Sequence, residues 1–166
     1  MTEENEYSIM EKRDEAQILA EIQGEVVQDY FYKAKGGKVV ISWLGIRELA
    51  RQYGKVETDV VDIRELENTW LVVIKARDLE KGHALLGTST QSKIDKYSSE
   101  PDEFAYQKAF SKAQRNALKI VLPEALFAKA IESYEKDAVN KPRGRTEDAD
   151  VKIVEFMTPQ GLKLPE

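Results

Sequence analysis

Apolar and polar positions alternate along the first third of the chain in patterns that predict a helix, a hairpin and a second helix. Residues 1–24 have the apolar spacing of an acidic helix that ends at a glycine. Residues 26–42 contain two short β-rich runs around a basic turn with two glycines, which predicts a β-hairpin. Residues 44–53 have helical spacing, and we expect Ser42 to cap this helix and Gly54 to end it.

The middle of the chain changes to the period of strands and then returns to helical spacing. Residues 56–63, 70–76 and 83–91 read as three strands in quick succession, which predicts an antiparallel meander. Residues 103–122 form a long amphipathic helical pattern, and residues 124–136 a second one. The predicted fold class is therefore α+β, with an antiparallel sheet (the hairpin plus the three-stranded meander) packed on the long helix.

Composition divides the chain into three parts. An acidic helix (residues 1–24) precedes a core (residues 25–137), and a linker with a C-terminal tail (residues 138–166) follows. Residues 151–157 are a short apolar island within that tail. They have too little surface to fold alone, so we expect them to dock on the core or on a neighbour.

The composition is that of an ordinary soluble protein, with 42% hydrophobic and 33% charged residues. We expect no membrane span, because no apolar run approaches the roughly 18 residues required. The start of the sequence is not that of a signal peptide. There is no cysteine, which excludes disulfides and thiolate metal sites, so the expected location is the cytoplasm.

Charge is distributed unevenly along a chain whose net charge is −5. Residues 1–30 hold nine acidic and two basic side chains, whereas residues 31–130 hold thirteen acidic and seventeen basic ones. The acid therefore lies at the ends and the middle is mildly basic. This distribution permits a nucleic-acid site without requiring one.

The long predicted helix carries a row of cations on one face. At about 100° per residue, four basic residues spaced by four, three and four fall close to one line: Lys108, Lys112, Arg115 and Lys119. The opposite side is apolar, with Tyr106, Ala109, Phe110, Ala113, Ala117, Ile120 and Val121. No acid lies between Phe104 and Pro123, so the usual alternation with glutamate is missing and the face suits a polyanion.

Two smaller groups of cations lie earlier in the chain. Lys33, Lys35 and Lys38 cluster at the predicted hairpin turn, and Arg47 and Arg51 lie four apart on the short helix. Both groups could contact phosphates. Lysines at a turn also keep a sheet edge soluble, and Arg51 could pair with Glu48; both alternatives stay open.

Signatures of catalysis are nearly absent, so we predict no enzyme, no cofactor and no metal site. The sequence has no phosphate-binding loop of the Gly-x-x-x-x-Gly-Lys type, which argues against ATP-driven chemistry. His83 is the single histidine and is expected at the surface. Asp59 and Asp62 lie three apart on a predicted strand and are expected to point to opposite faces.

The order of hairpin, short helix, meander and long basic helix resembles the core of the Rad-fifty-two-like family of single-strand annealing proteins, whose relatives include phage Erf- and RecT-type proteins. The resemblance covers roughly residues 25–136. It is carried by short patterns: Lys38-Val-Val-Ile-Ser, Leu49-Ala50, Tyr53-Gly54, Trp70 to Ala76, Gly87-Thr-Ser, and Lys112-Ala-Gln-Arg-Asn-Ala-Leu-Lys119.

The resemblance implies a protein that anneals single-stranded DNA without ATP, in homologous recombination and repair, as a ring or filament of identical subunits in a prokaryotic or phage-infected cell. Arg115, Lys119 and Lys112 match family positions that line a DNA groove. Gly45 departs from the family, which has a cation near that position, and Arg47 could substitute. Recombination partners could bind the acidic N-terminus or the tail. The alternative is an adaptor whose basic helix docks an acidic partner or the chain's own acidic segment.

Overall fold

Four helices and five strands follow one another in the computed structural model, which describes residues 3–25 and 29–140. They are α1 (Glu3–Ile22), β1 (Phe31–Lys33), β2 (Val39–Ile41), α2 (Trp43–Tyr53), β3 (Val56–Glu65), β4 (Thr69–Asp78), β5 (His83–Ser92), α3 (Ala105–Val121) and α4 (Glu124–Asn140). The α+β prediction is confirmed. The hairpin β1–β2 and the meander β3–β4–β5 form two separate antiparallel sheets.

The meander packs one face against α3. Alternate residues of β4 are buried on this face, among them Val72, Ile74 and Ala76. On β5, Gly87 faces the helix, and a Cβ there would collide with the backbone of Ala113 and Ala117. The glycine and the helix alanines therefore let α3 lie directly on the sheet, which is the close backbone approach that a strand glycine permits.

A β-bulge in β3 changes which side chains share a face of the sheet. Asp59 pairs with Lys75 and Asp62 pairs with Val73, with a register shift between Val60 and Asp62. Lys75 and Val73 lie two apart on β4, so both aspartates point to the same face. The prediction that they point to opposite faces was wrong, because the bulge adds one residue between them.

The ends of α2 confirm the predicted caps. The Ser42 hydroxyl accepts a hydrogen bond from the Gly45 amide, and Gly54 ends the helix with a left-handed φ of 71°. Helix α4 then packs on the hairpin, where the rings of Phe31 and Tyr134 stack with centroids 4.7 Å apart. The hairpin and α4 thus form a second layer beside the meander.

Two details differ from the sequence prediction. Ile120, predicted on the apolar side of α3, is 52% exposed. Helix α4 extends to Asn140, so residues 138–140 of the predicted tail are helical. The apolar island at residues 151–157 lies outside the described residues. Among the described residues, none of the helices is long and apolar enough to cross a membrane.

Candidate nucleic-acid interface

The cationic face of α3 lies under α1. Lys112 Nζ is 2.9 Å from a Glu11 carboxylate oxygen, and Lys112 also pairs with Glu15. Arg115 reaches Asp14 at 2.6 Å and Glu11 at 2.7 Å through its two terminal nitrogens. The exposed fractions of the Lys112 and Arg115 side chains are 8% and 9%. We call these five residues the α1–α3 ion cluster.

The two remaining α3 cations have different surroundings. Lys108 is buried and its ammonium lies 2.7 Å from the Asp102 carboxylate, in the loop that precedes α3. Lys119 is exposed. Three of the four cations that the sequence places on one helical face are therefore paired inside the protein, and a polyanion could reach them only by displacing carboxylates.

Side chains of α1 also accept hydrogen bonds from backbone amides at the N-terminus of α2. The amide of Trp43 donates to Asp14 at 2.9 Å, and the amide of Leu44 donates to Gln17 at 3.2 Å. These amides belong to the first turn of α2, where no intrahelical acceptor exists. Asp14 thus serves both α2 and Arg115, which makes α1 a structural part of the core rather than a loose acidic arm.

The cations of the ion cluster lower the pKa of the Glu11 carboxyl. Burial alone would raise the pKa of its carboxyl, but the nearby charges and hydrogen bonds of Arg115 and Lys112 outweigh burial and hold the pKa below its ordinary value. The carboxylate is therefore stabilised in its charged form by the two cations, as expected for opposite charges in contact.

An open groove of about 360 Å³ lies between α2, α3 and β3. Arg47 and Arg51 line it from α2, and Thr58 and Gln114 line it from β3 and α3, joined by a 3.0 Å hydrogen bond. The rest of the lining is mixed, with an aromatic residue, an acid and four aliphatic residues: Tyr30, Glu48, Leu44, Ala50, Val56 and Leu118. We call this groove the α2 groove.

Both groove arginines have partly exposed side chains and carboxylate partners. Arg47 is 41% exposed, lies 2.7 Å from Glu21 and stacks over the Trp43 ring at 4.6 Å. Arg51 is 55% exposed and pairs with Glu48, as the sequence had suggested as an alternative. An exposed pair such as Arg47–Glu21 contributes only about 0–1 kcal/mol, so its carboxylate exchanges easily, whereas the Glu48 carboxylate is buried.

Gly45 explains why no cation occupies this part of α2. A Cβ at Gly45 would collide with the Tyr30 carbonyl oxygen and would lie 2.6 Å from Ile41 Cγ2, which is much closer than a normal contact. No side chain fits there without moving the hairpin strand away from α2. Arg47, two residues later, carries the nearest positive charge of the helix.

The hairpin lysines lie apart from both arrangements. Lys33 and Lys38 are exposed beside a short 3₁₀ turn (Lys35–Gly37), and the side chain of Lys35 is outside the described part. Neither Lys33, Lys38 nor Lys119 lines the α2 groove. The sequence predicts nine cations as nucleic-acid contacts. The structure brings two of them, Arg47 and Arg51, together in the groove. Three others are buried: Lys108, Lys112 and Arg115.

The sequence indicates the chain's own acidic segment as an alternative partner of the basic helix, but not the individual acids that pair with the α3 cations. Glu11, Asp14 and Glu15 are spaced by three and one, so they share a face of α1 with the buried Ile18. The interval of three between Glu11 and Asp14 equals that between Lys112 and Arg115, and it is a signal for helix-to-helix pairing. In the described part of the chain, no group of three or more potential metal ligands comes together.

Comparison with known proteins adds one distant relationship. No protein-family model matches the chain. An 85-residue stretch is 29% identical to an uncharacterized protein of Methanocaldococcus jannaschii, covering 51% of this chain and 34% of that protein. The match thus spans about a third of the relative's length, and the resemblance to annealing proteins stays a prediction.

Proposed function

We propose that this protein binds single-stranded DNA in the α2 groove and anneals complementary strands without ATP, in homologous recombination or repair. The observation that carries the proposal is the pair of arginines, Arg47 and Arg51, whose partly exposed side chains lie on an open groove with aliphatic and aromatic residues in its lining. Guanidinium groups suit phosphates, and an apolar wall suits the faces of sugars and bases.

The exposed Arg47–Glu21 pair favours this use. Glu21 holds Arg47 in place when no strand is bound, and a phosphate can replace this exposed carboxylate at small cost. The Glu48 carboxylate is buried, so we expect Arg51 to keep this partner while its exposed side chain contacts a phosphate. Contacts with the backbone alone would leave the base edges free for a complementary strand. The groove thus suits annealing better than reading of sequence.

The proposal includes assembly into a ring or filament. One subunit offers two groove arginines, which supply few phosphate contacts. Repeating the groove along an oligomer would multiply those contacts, because each further site binds a strand that is already tethered. Exposed Lys33, Lys38 and Lys119 would add to the positive field around each groove.

The test is charge reversal in the groove. In the Arg47→Glu/Arg51→Glu variant we expect a loss of affinity for an oligothymidylate strand and of annealing. The slope of log affinity against log salt should fall by roughly 0.7 for each lost phosphate contact. The matched control is Lys81→Glu/Lys129→Glu, which reverses two exposed cations outside the groove. Equal affinity for both double variants would overturn the assignment of the site.

The adaptor alternative has one specific observation in its favour, since the basic face of α3 does dock an acidic helix, the chain's own α1. A separate acidic partner would have to compete with that helix. The same binding experiment decides between the two proposals. If wild type binds neither single-stranded nor duplex DNA at low salt, the annealing proposal fails and the adaptor is preferred.

A further inference from the structure

A second, more enclosed cavity of about 210 Å³ lies on the other side of α3, between α1, the end of β5 and the loop of residues 93–104. Hydroxyl groups from α1 and β5 line it, contributed by Ser8, Thr90 and Ser92. Its mouth carries the phenol ring of Tyr97. The cavity is separate from the α2 groove and shares none of its lining residues.

The lining of this cavity carries four acids and four lysines, and several of these charges are paired inside the protein. Glu11 and Glu15 belong to the α1–α3 ion cluster with Lys112. Asp102 is paired with Lys108. The fourth acid, Asp95, accepts a hydrogen bond from the Tyr97 amide.

Two lysines of the lining are left over. Within the described part of the chain, Lys12 and Lys96 form no ion pair, and both are exposed. The lining therefore offers two exposed lysines, each of which can contact a phosphate.

Tyr97 is held in an exposed position by an ordered loop. The loop closes through the Ile94–Pro101 bridge and through hydrogen bonds from the Asp95 amide to Glu100 and from the Ser99 amide to Asp95. Ser99 has a φ of 57°, a left-handed conformation that is uncommon for a residue with a side chain. The tyrosine is nevertheless 68% exposed.

The surroundings of the Tyr97 ring suit a planar anionic ligand. The Lys12 ammonium lies 5.1 Å from the ring centroid. A base stacked on an exposed aromatic ring with its phosphate on a neighbouring lysine is the usual contact of single-strand binders. An exposed aromatic side chain on a closed loop has already lost much of its freedom, so stacking costs little further ordering.

We propose that Tyr97 is a second contact for single-stranded nucleic acid, where one unpaired base stacks on the phenol ring at the mouth of the cavity and its phosphate contacts Lys12 or Lys96. This inference rests on the proposed function but concerns a different surface. It adds a base-stacking contact outside the α2 groove, whose lining includes the half-buried Tyr30.

The test compares Tyr97→Ala with Tyr97→Phe on the full chain, using an oligothymidylate strand and an otherwise identical abasic strand. We expect Tyr97→Ala to lose roughly tenfold in affinity for the oligothymidylate, because stacking on one aromatic ring is worth about that factor or more. Tyr97→Phe keeps the ring and should retain most of the affinity. On the abasic strand, wild type and Tyr97→Ala should bind equally.

The outcomes separate this inference from the proposed function. If wild type binds and the Arg47→Glu/Arg51→Glu variant does not, while Tyr97→Ala binds like wild type, the inference alone is overturned. If Tyr97→Ala weakens both strands equally, the ring acts through charge or folding and stacking is refuted. Thymidine monophosphate serves as competitor; if it binds wild type as tightly as the strand does, the ligand is a free nucleotide and the strand contact is refuted.

Discussion

Helices α2 and α3 both carry basic side chains on one helical face, yet the two faces differ in exposure and partners. On α3, Lys112 and Arg115 are buried against three carboxylates of α1. On α2, Arg47 and Arg51 lie on an open groove, each with one exposed or partly exposed ion pair. Buried pairs are costly to break, whereas exposed pairs exchange readily. The comparison teaches that the covering helix, and not the cation pattern, decides which charges remain available.

The largest expected effect comes from removing a shared carboxylate of the ion cluster. Asp14→Ala would leave Arg115 short of a partner and the Trp43 amide without its acceptor. Breaking a buried pair in this way costs about 3–5 kcal/mol. Urea unfolding measures the loss, and Glu132→Ala, which removes the exposed pair with Lys136, is the control whose midpoint should stay unchanged. A stable Asp14→Ala protein would show that the cluster is dispensable.

A smaller effect is expected where α2 meets the hairpin. Gly45→Ala places a methyl group against the Tyr30 carbonyl and Ile41. Overpacking of this kind costs roughly 1–3 kcal/mol. Urea unfolding again measures it, and Gly45→Lys should be at least as unstable. If Gly45→Lys folded like wild type and bound single-stranded DNA more tightly, a cation would be compatible with this position after all.

The acid dependence of stability tests the ion cluster in another way. Because Arg115 and Lys112 hold the pKa of Glu11 below its ordinary value of 4.5, its contribution to stability is complete above that pH. It is lost as the pH falls from 4.5 toward the lower pKa of the folded protein. As the pH falls through this range, the free energy of unfolding measured in urea should therefore decrease less steeply for Glu11→Gln than for wild type. Parallel pH profiles would contradict the role of Glu11.

The smallest effect on folding is expected at the groove. Glu21→Gln removes an exposed partner of Arg47, so the free energy of unfolding should change by less than about 1 kcal/mol. Affinity for single-stranded DNA should rise a few-fold, because the phosphate no longer competes with a carboxylate. Fluorescence anisotropy with an oligothymidylate strand measures this change. A loss of affinity would place Glu21 among the groups that support the groove instead.

Much of the fold could be predicted from the sequence, because local signals determine it. The alternation of β4, the caps Ser42 and Gly54, and the apolar stripe of α3 act over short stretches of chain. The bulge between Val60 and Asp62 could not be predicted, since neither a glycine nor a proline marks it. Because the bulge adds one residue to the strand, Asp59 and Asp62 point to the same face of the sheet and not to opposite faces.

The site was harder to predict than the fold. The spacing of Lys112 and Arg115 gives their common helical face but not the neighbour that covers it, and that neighbour lies about a hundred residues earlier in the chain. Tyr97 gave no periodic signal because it lies in a polar loop. Arg47 and Arg51 were predicted correctly as neighbours on one helix, and their use by DNA remains a prediction.

We assign a structural role to the buried cations of α3 and strand binding to the arginines of α2. The most direct test of this assignment compares Arg115→Met with Arg47→Met. Each variant is measured twice, by urea unfolding and by affinity for an oligothymidylate strand. We expect Arg115→Met to lose about 3–5 kcal/mol of stability, because it leaves the buried Asp14 without its cation and Glu11 with Lys112 alone, while its folded fraction binds the strand like wild type. Arg47→Met should keep its stability and lose affinity. An Arg115→Met protein as stable as wild type but unable to bind the strand would contradict this account and place the DNA site on α3.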